Sequence, residues 1–319
     1  MEVKVSAKYN GGRRQPLGKK AASVGLRFFN GNLLRFIGLL TRLSKSLNNF
    51  RGKYLDFVPR DEDIFIVTYP RSGTTLMQMI LYQLTTDGGL DFEHISEPCP
   101  YLERAISNRR DLEALPSPRI FKTHLPLKSI MRMMHGHGRC IYIARDGRDV
   151  ALSYYHFYRN GRGFTGTFSQ FFERFMKGNL LYGSWFKHVA EGWAHRNDPR
   201  LLFLTYEELT GDLEGGIQSI REFCGLDVPA QRMPSILERC SLGFMKQHVR
   251  KFDPLSGMQW ERKNREPQFI RKGQAGEGAQ HLSEQEVLSF EQECAKHPGT
   301  KSWTRQEFFN TRRLNLQSM

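Results

Sequence analysis

The stretch Asp63-Ile64-Phe65-Ile66-Val67-Thr68-Tyr69-Pro70-Arg71-Ser72-Gly73-Thr74-Thr75-Leu76 constrains the fold of this 319-residue chain more than any other. Its apolar, β-branched run predicts a buried strand, and the glycine and hydroxyls that follow predict a tight turn and a helix start. Such a turn leaves several backbone N–H groups unpaired at the helix N-terminus, facing the same way. Thr74 and Thr75 add hydroxyl donors, and Arg71 adds a planar cation suited to phosphate oxygens. The expectation is an anion site. A nucleoside-triphosphate loop is one alternative, but its pattern requires Gly, four residues, Gly, Lys, then Ser or Thr. Aligned on Gly73, this chain has Thr68 in place of the first Gly and Thr74 in place of the Lys.

A second run, Arg139-Cys140-Ile141-Tyr142-Ile143-Ala144-Arg145-Asp146-Gly147-Arg148-Asp149-Val150-Ala151-Leu152-Ser153, repeats the arrangement. Arg145 stands at the C-terminal end of the expected strand, where ligands of open parallel sheets collect. Ser153 follows about two helical turns into the next helix. Between the two runs, Arg119-Ile120-Phe121-Lys122-Thr123-His124-Leu125-Pro126 reads as a third short strand. Lys122 and His124 alternate on it and therefore share a face. Strands alternating with helical stretches predict one α/β domain with a central parallel sheet flanked by helices.

The segments TYPRSGTTL, KTHLP, ARDGRDVALSYYHF, FLTYEEL and IRKGQAGEG, in this order, resemble the cytosolic-type sulfotransferase family. They extend from about residue 62 to residue 290, most of the chain. The resemblance implies a single P-loop-like domain over residues 61–298, between a basic extension at 1–60 and a tail at 299–319. It implies transfer of a sulfuryl group from 3′-phosphoadenosine 5′-phosphosulfate (PAPS) to a hydroxyl or amine, without a metal. Arg71, Ser72, Gly73, Thr74 and Thr75 would hold the 5′-phosphosulfate end. Arg145 and Ser153 match the family's 3′-phosphate ligands, Arg271, Lys272 and Gly273 its other half, and Tyr206 a residue at the adenine. His124 matches the general base; Lys122 and Arg71 are cations for the leaving oxygen, with Ser153 restraining the loop cation.

Several positions depart from the family pattern. Arg71 stands where the cytosolic branch usually has Lys, and Leu76 where it often has Trp, so contact with the adenine there is apolar. Leu242 stands where an aromatic often packs on the adenine, whereas Met245 matches. Glu277, Gly278 and Ala279 replace Asp-Trp-Lys. Ala279 and Ser283-Glu284 fall where a common dimer contact lies, so a monomer or a homodimer through a different interface is expected.

Cys99, Cys140, Cys224, Cys240 and Cys294 are odd in number and widely spaced, with no Cys-x-x-Cys pair, which points to a reducing, cytoplasmic setting and away from zinc. His135 and His137 read as loop residues. The formal charge of +14 is not a nucleic-acid signature once it is located: residues 1–60 hold thirteen Lys and Arg against Glu2 and Asp56. From Ala22 to Phe50, apolar residues recur at helical spacing, interrupted by Arg27, Arg35, Arg42 and Lys45. That pattern suits peripheral membrane contact, a helix packed on the domain, or a transit peptide, and it is too interrupted to span a bilayer. Tyr101 is a candidate wall of the acceptor pocket, and Tyr154, Tyr155, Phe157 and Tyr158 cluster after the 3′-phosphate strand, where several are expected on the core face of the helix. The Gly-rich 160–166 segment reads as a loop beside the site, and 250–269 as a loop that closes over nucleotide. The expected acceptor is a small lipophilic molecule. A nucleotide kinase and a non-catalytic, membrane-associated member of the fold are the alternatives.

Overall fold

Strand β1 (Ile64–Thr68) is buried along its whole length, as its unbroken apolar run predicts for a strand covered on both faces. In this computed structural model, which describes residues 57–108, 110–253, 270 and 275–300, β1 lies between β2 (Ile120–Thr123) and β3 (Arg139–Ala144). Strand β4 (Leu201–Thr205) pairs with β3, so the order is β2-β1-β3-β4, and every pair is parallel. The described residues fall within one compact unit, Asn49–Met319. The extension read as an amphipathic helix, the 254–269 part of the closing loop and the C-terminal tail from 301 onward lie outside them.

Alternation along the strands sorts their side chains into two cores. Phe65, Val67, Phe121, Tyr142 and Phe203 enter one, while Ile64, Ile66, Ile120, Ile141 and Ile143 enter the other. The helices are α1 (Thr74–Thr85), α2 (Leu102–Ser107), α3 (Leu127–Met133), α4 (Gly147–Gly161), α5 (Phe168–Met176) and α6 (Trp185–Ala194). After β4 come α7 (Tyr206–Gly211), α8 (Leu213–Cys224), α9 (Met233–Cys240), α10 (Leu242–Gln247) and α11 (Glu284–Ala295). The core containing Ile66 is filled by α1, α8 and α9; the one containing Val67 by α4, α5 and α6.

Chain order reverses at β1, with β2 on one side and β3 on the other. Strand register brings Val67 level with Thr123 and Thr68 level with Ile143. The C-terminal ends of three strands therefore frame one crevice, the usual ligand position in open parallel sheets. At the opposite edge, Arg119 binds Asp63 through two bonds, Nε–Oδ1 at 2.8 Å and Nη2–Oδ2 at 2.7 Å. Its Nη1 donates to Glu113 at 2.6 Å and Nη2 also to the Val58 carbonyl at 2.8 Å. No helix among the described residues is long and apolar enough to cross a membrane.

Candidate active site

The turn after β1 passes twice through the left-handed region, at Arg71 (φ 72°) and Gly73 (φ 101°). Only glycine suits the second position, because a Cβ there would meet Tyr206 Cδ2 at 2.6 Å. A non-glycine residue in this region is strained by about 1–2 kcal/mol, and Arg71 therefore marks a turn held by its surroundings. No side chain caps the N-terminus of α1, which leaves the amides of its first turn for an anion. Thr74 bonds Thr68 through the two hydroxyls at 2.7 Å. Ser72 is buried within the turn, its amide donating to Tyr69 O at 3.3 Å, and it does not line the cavity.

A cavity of about 1070 Å³ opens at this edge, room for a nucleotide and a second small molecule. Arg71, Gly73, Thr74, Thr75 and Leu76 line it from the first turn, and Arg145 and Ser153 from the end of β3 and from α4. Tyr206 enters from the start of α7, with Leu242 and Met245 beyond it. The Tyr206 ring packs against Gly73, and the Arg145 guanidinium sits 4.3 Å from the ring centroid. Arg71 Nε donates to Ser153 Oγ at 3.0 Å, joining the first turn to α4. Arg145 Nη1 donates to Arg71 O at 3.3 Å.

Lys122 and His124 reach the same cavity from the end of β2, on one face as their spacing predicts. His124 Nδ1 lies 2.9 Å from Thr68 O. A carbonyl only accepts, so the proton resides on Nδ1 and the Nε2 lone pair is available. Burial, reinforced by the nearby Lys122 charge, pushes the imidazole down to about 3, so it is neutral. Burial also lowers Lys122 to about 8, against an opposing pull from the Glu103 carboxylate. Lys122 therefore remains mainly protonated at neutral pH.

Tyr101 is placed by a parallel bridge to Lys122, and its hydroxyl meets that of Tyr182 across the cavity mouth. The His124 ring contacts both, 5.6 Å from Tyr101 and 5.2 Å from Tyr182. Tyr182 occupies a left-handed turn (φ 77°) pinned by hydroxyls of the core, Tyr69 to Gly183 O at 3.0 Å and Tyr154 to Leu181 O at 3.4 Å. Tyr154 and Phe157 line the cavity, whereas Tyr155 packs into the core. Tyr182 and Glu103 escaped the reading of the sequence, and neither stands in a spacing that marks it. Only the packing of two remote segments against β2 brings them to His124.

Arg271, Lys272 and Gly273 lie outside the described residues. The turn just after them is anchored on α4: the amides of Gly276 and Gly278 donate to the Asp149 carboxylate at 2.8 and 2.6 Å. His137 pairs with Asp61 at 2.7 Å, in keeping with a loop position. All five cysteines are buried and unpaired. Among the described residues no group of three or more His, Cys, Asp or Glu is placed to hold a metal ion. Ser283 caps α11 in a reciprocal pair with Glu286, so this part of the segment read against the dimer contact forms a helix start.

The sulfotransferase domain family matches residues 61–301. Mouse sulfotransferase 4A1 is 39% identical over 199 residues, covering 60% of this chain and 70% of that protein. Mouse sulfotransferase 2B1 is 34% identical over 240 residues, covering 73% and 70%. Among solved structures, retinol dehydratase in complex with androsterone and the inactive cofactor PAP superposes with a TM-score of 0.64 at 26% identity, covering 76% of this chain and 82% of that one. Mouse sulfotransferase SULT7A1 complexed with PAP gives 0.60 at 26% identity, covering 82% and 90%. The chain belongs to the sulfotransferase family and is an enzyme of sulfuryl transfer. That membership sets aside the nucleotide-kinase alternative.

Proposed function

We propose that this protein moves a sulfuryl group from PAPS to a hydroxyl of a small acceptor, with His124 as general base. The observation that carries this reading is the His124 ring, held by Thr68 O in the tautomer that leaves Nε2 to accept a proton, in a cavity shared with Lys122 and Arg71. The cavity suits the donor: an uncapped helix start with Arg71 lies near one cationic pole, and Arg145 with Ser153 forms another beside an aromatic ring. A 3′-phosphoadenosine nucleotide carries two separated anionic groups and needs two such poles. The neighbours complexed with PAP support the same assignment. Charge-assisted hydrogen bonds of this kind contribute about 1.5–3 kcal/mol each.

Arg71, Gly73, Thr74 and Thr75 hold the phosphosulfate end, Arg145 and Ser153 the 3′-phosphate, and Tyr206 with Leu76, Leu242 and Met245 the adenine. Ser72 serves the turn from within. Arg271, Lys272 and Gly273 complete the 3′-phosphate site. When bound, PAPS supplies an activated sulfuryl group on a phosphate leaving group. Nε2 of His124 takes the acceptor proton, and Lys122 and Arg71 oppose the negative charge that develops on the leaving oxygen, a task of placement and electrostatics. The metal-free chemistry requires nothing beyond these side chains.

Tyr101, Tyr154, Phe157 and Tyr182 give the cavity aromatic walls, with the Tyr101 and Tyr182 rings beside the imidazole. Such walls suit a flat lipophilic alcohol or phenol, and retinol and androsterone occupy two of the neighbouring structures. Residues 61–298 form the catalytic domain, acting in the cytoplasm as a monomer or through a dimer contact unlike the common one. The basic segment 22–50 gives it peripheral contact with anionic membrane. Deleting residues 1–50 abolishes liposome association on this reading, and unchanged association removes it. The central test is labelled-sulfate transfer to a panel of phenols and sterols. His124→Ala abolishes transfer while calorimetry still finds PAP binding; comparable rates in the variant would remove His124 from its role.

A further inference from the structure

The segment Pro100–Glu103 is attached to the outer side of β2. Lys122 N donates to Pro100 O at 2.9 Å, Tyr101 bridges to Lys122, and the Lys122 ammonium lies 5.6 Å from the Tyr101 ring centroid. Two residues further on, Glu103 Oε1 accepts from the backbone N–H of His124 at 3.2 Å. Glu103 Oε2 is sealed from solvent and lacks a close hydrogen bond among the described residues, although the Tyr101 and Thr123 hydroxyls approach the carboxyl. The carboxyl does not line the cavity; it stands behind the Tyr101–Lys122–His124 wall. Its charge acts on Lys122 and on the Tyr101 and Tyr182 hydroxyls.

A buried carboxylate with no cation bonded to it is costly, and ordinary folds avoid it. Burial accordingly raises Glu103 to about 7. The cost has a counterpart in the reaction cycle. As the acceptor O–H proton passes to His124 Nε2, the acceptor oxygen bonds sulfur, and the sulfur–oxygen bond to the leaving phosphate breaks with its electron pair on that phosphate. The imidazole then carries a positive charge in a buried place, beside Lys122, with its Nδ1–H already committed to Thr68 O.

We propose that Glu103 is a positioning residue that fixes His124 through its backbone N–H and serves as the counter-charge for the imidazolium formed during transfer. The inference rests on the assignment of His124 as base. It makes a prediction that a merely structural role does not. Removing a carboxylate beside an anion site favours anion binding, whereas removing the counter-charge slows the step that charges His124.

Glu103→Gln keeps the shape and removes the charge. Its kcat is expected to fall about 100-fold, while calorimetry finds PAP bound as tightly as by the parent protein or more tightly. A kcat within about threefold of the parent overturns the proposal. So does a fall in kcat matched by an equal loss of PAP affinity, because both would then report a damaged fold. His124→Ala is measured in parallel. Turnover surviving in that variant removes the base itself, and the role of Glu103 with it. A dead His124→Ala beside an unimpaired Glu103→Gln removes only Glu103.

Discussion

The two edges of one sheet carry buried charge in opposite ways. At the N-terminal edge, Arg119 and Asp63 are both fully buried, meet through two hydrogen bonds, and are supplemented by Glu113 and the Val58 carbonyl. Phe57 and Phe121 flank the guanidinium at 5.3 and 5.4 Å. At the C-terminal edge, Lys122 is pushed down by burial, while Glu103 and Glu207 are both pushed up to about 7 by burial. Each of those carboxyls keeps one sealed oxygen that lacks a close hydrogen bond among the described residues. The first edge resolves its electrostatics within the fold. The second leaves them unresolved, as sites do when a ligand or a reaction step supplies the missing charge.

The contrast is best broken by exchanging the expected costs. Asp63→Ala strips the partner from a buried guanidinium, and breaking such a pair destabilises by about 3–5 kcal/mol. Urea denaturation should show that loss, while kcat per folded molecule stays within about twofold, since the site lies at the other edge. A drop in kcat with no change in stability would merge the two edges into one functional unit.

Lys122→Met is the complementary experiment. Losing a preorganised cation at the leaving oxygen should lower kcat by about 10²–10³-fold. The thermal midpoint should hold, because a half-buried, desolvated ammonium is replaced by an apolar chain of similar reach and Glu103, raised to about 7, can take a proton. A midpoint lowered by several degrees would place Lys122 with the structural edge.

Glu207 gives a smaller, pH-dependent effect. Its carboxyl accepts from Asp146 N at 2.9 Å, and burial raises its folded value to about 7 from an ordinary 4.5. The folded state therefore retains a proton that the unfolded state has lost, and stability declines as pH rises from 4.5 to 7. Glu207→Gln removes that decline. The variant should gain roughly 3 kcal/mol over the parent at pH 8 and little near pH 4.5, as read from thermal midpoints across the range. A constant difference at every pH would show that Glu207 does not titrate there.

The smallest effect concerns donor binding. Lys122 loses its proton as pH passes about 8, so PAP affinity should fall about tenfold between pH 7 and pH 9. Lys122→Arg, whose charge persists, should flatten the profile. A profile unchanged by that substitution would assign the pH dependence to another group.

Much of this contrast was legible along the chain, and the reasons are local. The run from Ile64 to Thr75 specifies strand, turn and helix through apolar content, Gly73 and the threonines. Arg145 and Ser153 follow the same pattern two strands later, and the spacing of Lys122 and His124 puts both on one face at the end of β2. Ser72 was legible as part of the turn, yet not as a residue folded inward from the cavity. Tyr182 and Glu103 were hidden: one depends on a left-handed turn pinned by Tyr69 and Tyr154, the other on Pro100 joining the edge of β2.

The order of residues determined where strands end, which side chains alternate onto a common face, and that two cationic turns would lie on one edge of a parallel sheet. Those are consequences of short-range geometry, set within a few residues of each position. Tertiary packing alone decided that Thr68 holds the His124 proton on Nδ1 and that a sealed carboxyl stands behind Lys122. Burial and the meeting of segments remote in the chain set these charges, and neither can be read from neighbours along the backbone.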